Sequence, residues 1–301
     1  MRITHRAVTQ TALLGLNANQ SAVMKLQQQL TSGKQISTAS DSPTGTNKAL
    51  QLRQDQSAVQ QFAKNISDGQ SWLDATDTAL TTAINQVQRV RDLTVKALNT
   101  GSASTSSQQA ISVEVAALRE SLIGVANSSI NGRPLFGGPT MGGTAYQPGT
   151  GTYVGAPALP DGTVVGMTRR VSNADQIRID ITGPEAFGTP GPNDLFGVVG
   201  RIAADVVGNP DGLADDLNAL DVALQDLLGA AASVGARSAR MEAATQVNTD
   251  LQLTLASQLV DVEDIDLAKT IMELSQTEVG YKAALQATAQ VIQPTLLDFL
   301  R

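Results

Sequence analysis

The feature that most limits this chain is an apolar repeat that keeps one register for about fifty residues. Stepping by three and four from Ala49 meets Leu52, Gln56, Val59, Ala63, Ile66, Gln70, Leu73, Asp77, Leu80, Ile84, Val87, Arg91, Thr94 and Leu98. Alternating steps of three and four hold side chains on one face of an α-helix. A helix over this stretch runs to roughly 75 Å, where helices of compact domains average about 11–12 residues. Its seam needs partner helices, so the sequence predicts a bundle or coiled coil.

Two later tracts supply partners. Residues 107–130 carry Ile111, Val115, Leu118, Leu122 and Val125 at helical spacing. Residues 213–279 open with Leu213, Leu217, Leu220, Leu224, Leu227 and Leu228, and continue with Leu255, Val262, Ile265, Met272 and Val279. Between the tracts, residues 132–200 hold 15 of the 26 glycines, and residues 134–194 hold 8 of the 11 prolines. Glycine and proline interrupt helices, so this zone reads as loops and strands. Strands are predicted at 164–171 and 176–182, bracketed by Asp161-Gly162 and Gly183-Pro184. The expected fold class is mainly α: a long antiparallel helical bundle or coiled-coil rod from both chain ends, with a small β-rich domain inserted at its tip.

The extreme ends mirror each other. One seam runs through Leu13, Leu16, Gln20, Val23, Gln27 and Leu30, the other through Leu285, Ala289, Ile292, Leu296 and Phe299. Each is short and weakly apolar, and isolated helices of that kind are marginal in water. The ends are therefore expected to be unfolded in the free subunit and to fold when neighbours cover them. Leu13, Leu16, Val23, Leu30, Leu285, Ile292, Leu296 and Phe299 are the candidate assembly residues.

Composition excludes several other roles. With no cysteine there is no disulfide, thiolate metal site or cysteine nucleophile. A net charge of −7 disfavours nucleic-acid binding, which wants a basic face. No stretch approaches ~20 consecutive apolar residues, so no membrane insertion is expected. Arg2, His5 and Arg6 precede only a short apolar run, Ala12–Leu16, which does not make a cleaved signal peptide. His5 is the single histidine, so neither a catalytic triad nor a histidine-pair zinc motif can be assembled. No enzyme activity, metal or cofactor is expected.

Other motifs read as structure. The acidic group Asp261, Glu263, Asp264 and Asp266 lacks the glycine and distant glutamate of a calcium loop; Asp264 or Asp266 suits a helix N-cap instead. Asp41 or Ser42 caps a helix that Pro43 opens, and Gly33 supplies a turn. Asn65-Ile66-Ser67 and Asn127-Ser128-Ser129 fit the glycosylation acceptor pattern, which is short and common. Arg169-Arg170 reads as a solvated strand pair, and the glycine-rich 137–155 as a loop without a phosphate-binding lysine.

The segment 29–43, with Ser32-Gly33, Ile36, Ala39 and Asp41, resembles a turn near the start of bacterial flagellins and their relatives. The segment 257–268, Ser-Gln-Leu-Val-Asp-Val-Glu-Asp-Ile-Asp-Leu-Ala, resembles the matching stretch before their last helix. Within that superfamily, Asn131-Gly132-Arg133-Pro134-Leu135-Phe136-Gly137-Gly138, Tyr153-Val154-Gly155 and the run 177–187 resemble the hook-associated protein 3 branch, the hook–filament junction proteins. Asp298-Phe299-Leu300-Arg301 departs from it, its final arginine being closer to many flagellins.

The resemblance implies three domains: a terminal coiled-coil domain of 1–40 and 265–301, a rod of 41–131 and 200–264, and a β-rich tip of 132–199. It implies a structural subunit of the flagellum, adapting hook to filament, with a filament flagellin as the alternative. The implied partners are copies of the chain itself in a ring or helical layer, hook-associated protein 1, flagellin, and an export chaperone. Secretion by the flagellar route, without a cleaved signal, is also implied.

Overall fold

The computed structural model describes residues 5–99, 104–140, 142–157 and 166–292. The chain there is mainly helical. Helices α1 (His5–Ser32), α2 (Pro43–Asn99) and α3 (Thr105–Ala126) come first. Strands β1 (Ser129–Ile130), β2 (Arg133–Pro134), β3 (Thr168–Arg170) and β4 (Gln176–Arg178) follow, then α4 (Gly183–Phe187), α5 (Leu195–Gly208), α6 (Leu213–Glu263) and α7 (Leu267–Ile292). The chain divides into a terminal unit, residues 1–58 with 251–301, and a central unit, residues 59–250.

In the central unit, α2 runs antiparallel to α6: Arg91 pairs with Asp221 at 2.7 Å, and the buried Asn248 amide donates to Val59 O. It is also antiparallel to α3, through Arg89–Glu114 and Gln86–Ser121. Helices α3 and α5 pack antiparallel, with Ser112 Oγ donating to Ala203 O and Arg119 Nε to Phe196 O.

The core corrects half of the expected α2 seam. Ile66, Leu73, Leu80, Val87 and Thr94 are buried as expected. Gln70, Ile84 and Arg91 are only half-buried and Asp77 is exposed, while Gly69, Thr76, Ala83 and Val90 are buried in their place. The spacing is still three and four, but its second position lies one residue earlier, where residues are smaller. Small residues permit close approach: a Cβ on Gly69 would sit 2.5 Å from Met241 Cε of α6 and 3.1 Å from Ile179 Cγ2. The buried Thr76 and Thr94 hydroxyls return to Trp72 O and Val90 O, which satisfies them inside the core.

The inserted zone holds less sheet than its sequence suggests. Asn131 (φ 51°) and Gly132 (φ 77°) form the turn of the β1–β2 hairpin, where both central residues need positive φ. Strands β3 and β4 pair antiparallel over three residues each, shorter than the predicted 164–171 and 176–182; Asp161-Gly162 and residues 164–165 lie outside the described residues. Ile179, Asp180, Ile181 and Thr182 are all buried, so the alternation of a one-sided strand stops at Arg178. A helix also begins inside this zone, at Leu195, capped by Asp194 through Gly197 N at 2.7 Å.

What organises the insert is a cluster of rings. Phe136 meets Phe187 edge-on at 4.9 Å, and Tyr146 contacts Tyr153, Phe187 and Phe196. These five are among the nine aromatic residues of the chain, so one small region takes most of the scarce aromatic area. Asn127 at the end of α3 anchors the cluster, exchanging two hydrogen bonds with the Tyr146 backbone. Arg119 holds the neighbouring loop by Gly149 O and Thr150 O, and Arg169 reaches Asp68 of α2 at 2.6 Å.

Candidate assembly surface

The terminal unit is built from two turns that face each other. Gly33 (φ 70°) ends α1, and Ser42 caps α2 by accepting from Gly45 N, with Pro43 at the first helical position as the sequence indicates. Asp41 instead braces the turn: its carboxylate accepts from Ser37 N, Thr38 N and Thr38 Oγ1 and pairs with Lys25 at 2.9 Å. The hydrogen bond from Lys25, followed by those from Thr38 and Ser37, holds Asp41 well below the usual carboxylate range. Across from it, Asp266 caps α7 through Lys269 N.

The two turns are joined by backbone and by charge. Gln35 N donates to Glu263 O at 2.6 Å and Ile265 N to Gly33 O at 3.1 Å, around an antiparallel bridge between Lys34 and Asp264. The Glu263 side chain, 4 % exposed, receives Lys34 Nζ at 2.6 Å and Arg53 at 2.7 Å. Burial alone would raise its pKa; the Lys34 hydrogen bond and the Arg53 and Lys34 charges reverse that and hold it below the usual value. Sequence reading grouped Glu263 with its acidic neighbours. The available signal was its place on the inward step of the helix, in line with Leu259 and Leu255 four and eight residues earlier.

From this joint α1 and α7 pack along each other. Of the expected assembly residues, Leu16, Val23 and Leu30 are half-buried, while Leu13 and Leu285 are 49 % and 41 % exposed. The side chain of Ile292, at the end of α7, and Leu296 and Phe299 lie outside the described residues, as does the His5 side chain. The structure adds Leu14, Met24, Leu50, Leu251, Leu253, Val260, Leu267, Ile271, Met272 and Val279 as exposed apolar residues. Met272 and Val279 belong to the expected 255–279 seam, which the structure leaves in water at these two positions, and the others fall off the regular seams. Among the described residues, no group of three or more acidic or histidine side chains could hold a metal.

Comparison with known proteins places these features. Residues 3–140 match the bacterial flagellin N-terminal helical region, and residues 217–300 the bacterial flagellin C-terminal helical region. Flagellin of Bacillus subtilis is 26 % identical, with 100 % of both chains covered. Flagellar hook-associated protein 3 of Salmonella typhimurium is 23 % identical over 96 % of this chain and 95 % of that protein. The fold is that of a solved flagellar hook-associated protein from Vibrio parahaemolyticus, with a TM-score of 0.65 at 20 % identity, covering 74 % of this chain and 100 % of the other.

Proposed function

We propose that this chain, which belongs to the bacterial flagellin family by both of its terminal helical regions, is a structural subunit of the junction between flagellar hook and filament. The family is one of structural flagellar proteins, so a flagellar location and association with other flagellar components go with membership. The observation that carries an assembly role is the apolar surface of the terminal unit, which holds twelve of the nineteen large apolar residues exposed among the described residues. The junction assignment is supported by full-length similarity to hook-associated protein 3 and by Leu135-Phe136, which open the insert and seat in its aromatic core.

In this reading, copies pack side by side in a ring or short helical layer through repeating, non-self-complementary contacts. Hook-associated protein 1 lies on one face and flagellin on the other. Residues 1–40 and 265–301 form the terminal domain, 41–131 and 200–264 the rod, and 132–199 the tip. The terminal helices gain their order as neighbours bury Leu13, Leu16, Val23, Leu30, Leu285, Ile292, Leu296 and Phe299. Before export by the flagellar route, without a cleaved signal, a chaperone shields the C-terminal segment. The subunit performs no catalysis and holds no cofactor.

A filament flagellin is the second reading, favoured by the full-length similarity to the Bacillus protein. Deleting the gene and imaging the cells separates the two. Intact hooks with filament protein shed into the medium support the junction. Normal filaments would overturn it, and purified subunit that grows into long filaments unaided would establish the flagellin reading.

A further inference from the structure

Among the described residues, Glu263 is the one charged side chain buried in the terminal unit. A buried carboxylate is costly unless it is paired and hydrogen-bonded. Both of its cations come from the opposite end of the chain, Lys34 at a separation of 229 residues and Arg53 at 210. The pairing therefore forms only when the two turns have met in one alignment, the same alignment that places Gln35 N on Glu263 O and Ile265 N on Gly33 O.

Both terminal helices leave from this joint. Helix α1 ends at Ser32 and α7 starts at Leu267, each within four residues of a clasp contact. Beyond it, the seam of α1 against α7 is only half-buried, and weak apolar seams define alignment poorly. A single buried polar contact is an attested way to fix helix register where apolar packing leaves it open. The neighbouring apolar support is thin: among the described residues, Ala49, Leu52 and Leu255 are the buried apolar side chains of this unit.

We propose that the clasp of Glu263 with Lys34 and Arg53 is the registry device of the terminal helices, the point from which order spreads into α1 and α7. This rests on the assembly reading for the idea that these helices order last, and it adds where that ordering starts. In the free subunit the clasp and its flanks, residues 33–58 and 251–266, are ordered whether or not α1 and α7 are. On assembly, α1 and α7 extend from it in a register already set.

Hydrogen exchange on the full-length subunit tests this, comparing the unsubstituted chain with Glu263→Gln and Lys34→Met. Losing charge-assisted hydrogen bonds to a buried group speeds exchange by about tenfold or more where those bonds gate opening. For Glu263→Gln we expect that acceleration across 33–58 and 251–266, and across α1 and α7 if they are protected at the start. The same direction with a smaller factor is expected for Lys34→Met, since Arg53 remains. Residues 66–241 should exchange within about twofold of the unsubstituted chain, because their protection reflects a separate core. Unchanged exchange at 33–58 and 251–266, or a loss spread equally over 66–241, would overturn the proposal. An unsubstituted chain already unprotected at 33–58 and 251–266 would overturn it too, while leaving the junction reading to the deletion phenotype.

Discussion

Among the described residues, the terminal unit buries three apolar side chains and the central unit thirty-nine, yet the terminal unit carries twelve of the nineteen large apolar residues that are exposed. The two share a helical composition and a spacing of three and four. They differ in what surrounds each helix. Helix α2 is packed by α3, α6 and the insert in the central unit, whereas α1 and α7 have chiefly each other. A helix pair covers one stripe of each partner and leaves the rest in water. The central unit is thus a finished core, and the terminal unit is a surface awaiting cover.

The contrast breaks most readily at the finished core. Leu80 is fully buried, and Leu80→Ala removes its packing and leaves a cavity. Urea unfolding should show a loss of about 2–5 kcal/mol. A loss under about 1 kcal/mol would mean that the central unit is far looser than its burial indicates.

Acid should separate the units by a smaller effect. Glu263 and Asp41 of the terminal unit are both held below their ordinary values of 4.5 and 3.8. A depressed carboxylate stabilises the fold above its unfolded pKa, and that contribution is lost as pH falls through the folded value. In the central unit Glu185 is depressed as well, but Asp194 is raised by burial and is relieved by protonation. Exchange or limited proteolysis between pH 7 and about pH 3 should therefore open residues 33–58 and 251–266 before residues 66–241. Simultaneous opening would remove the electrostatic difference between the units.

The smallest effect on the free subunit is the most telling. Val279 is 67 % exposed, so Val279→Ser should shift subunit stability by no more than about 0.5 kcal/mol. Incorporation into flagella should nevertheless fall, measured as subunit retained on isolated hooks. A variant that assembles as well as the original would take Val279 out of the assembly surface.

Much of this was legible in residue order. The unbroken register from Ala49, the glycine and proline zone and the cap residues Ser42 and Asp266 are local signals, and local sterics and hydrogen bonding decide them. The helix at 195–208 runs against the expectation of loops and strands up to residue 200, although Asp194 before Leu195, Val198, Val199, Ile202 and Val206 at helical spacing carries its signal inside a zone dominated by glycines.

Three things came only with the tertiary structure. Gly69, Thr76 and Ala83 entered the core in place of Gln70, Asp77 and Ile84, and close approach, as of Gly69 to Met241 of α6, rewards small residues that no hydropathy pattern scores. Residues 179–182 left the strand pattern, since helices and the aromatic cluster enclose them on both sides. Glu263 became the centre of the terminal joint. Its neighbours in sequence, Asp261, Asp264 and Asp266, stayed in water, and only the arrival of Lys34 and Arg53 from the other end of the chain made its burial affordable. Residue order alone determined that 5–32 and 267–292 are helices; which face of each remains uncovered was decided by packing between segments more than two hundred residues apart.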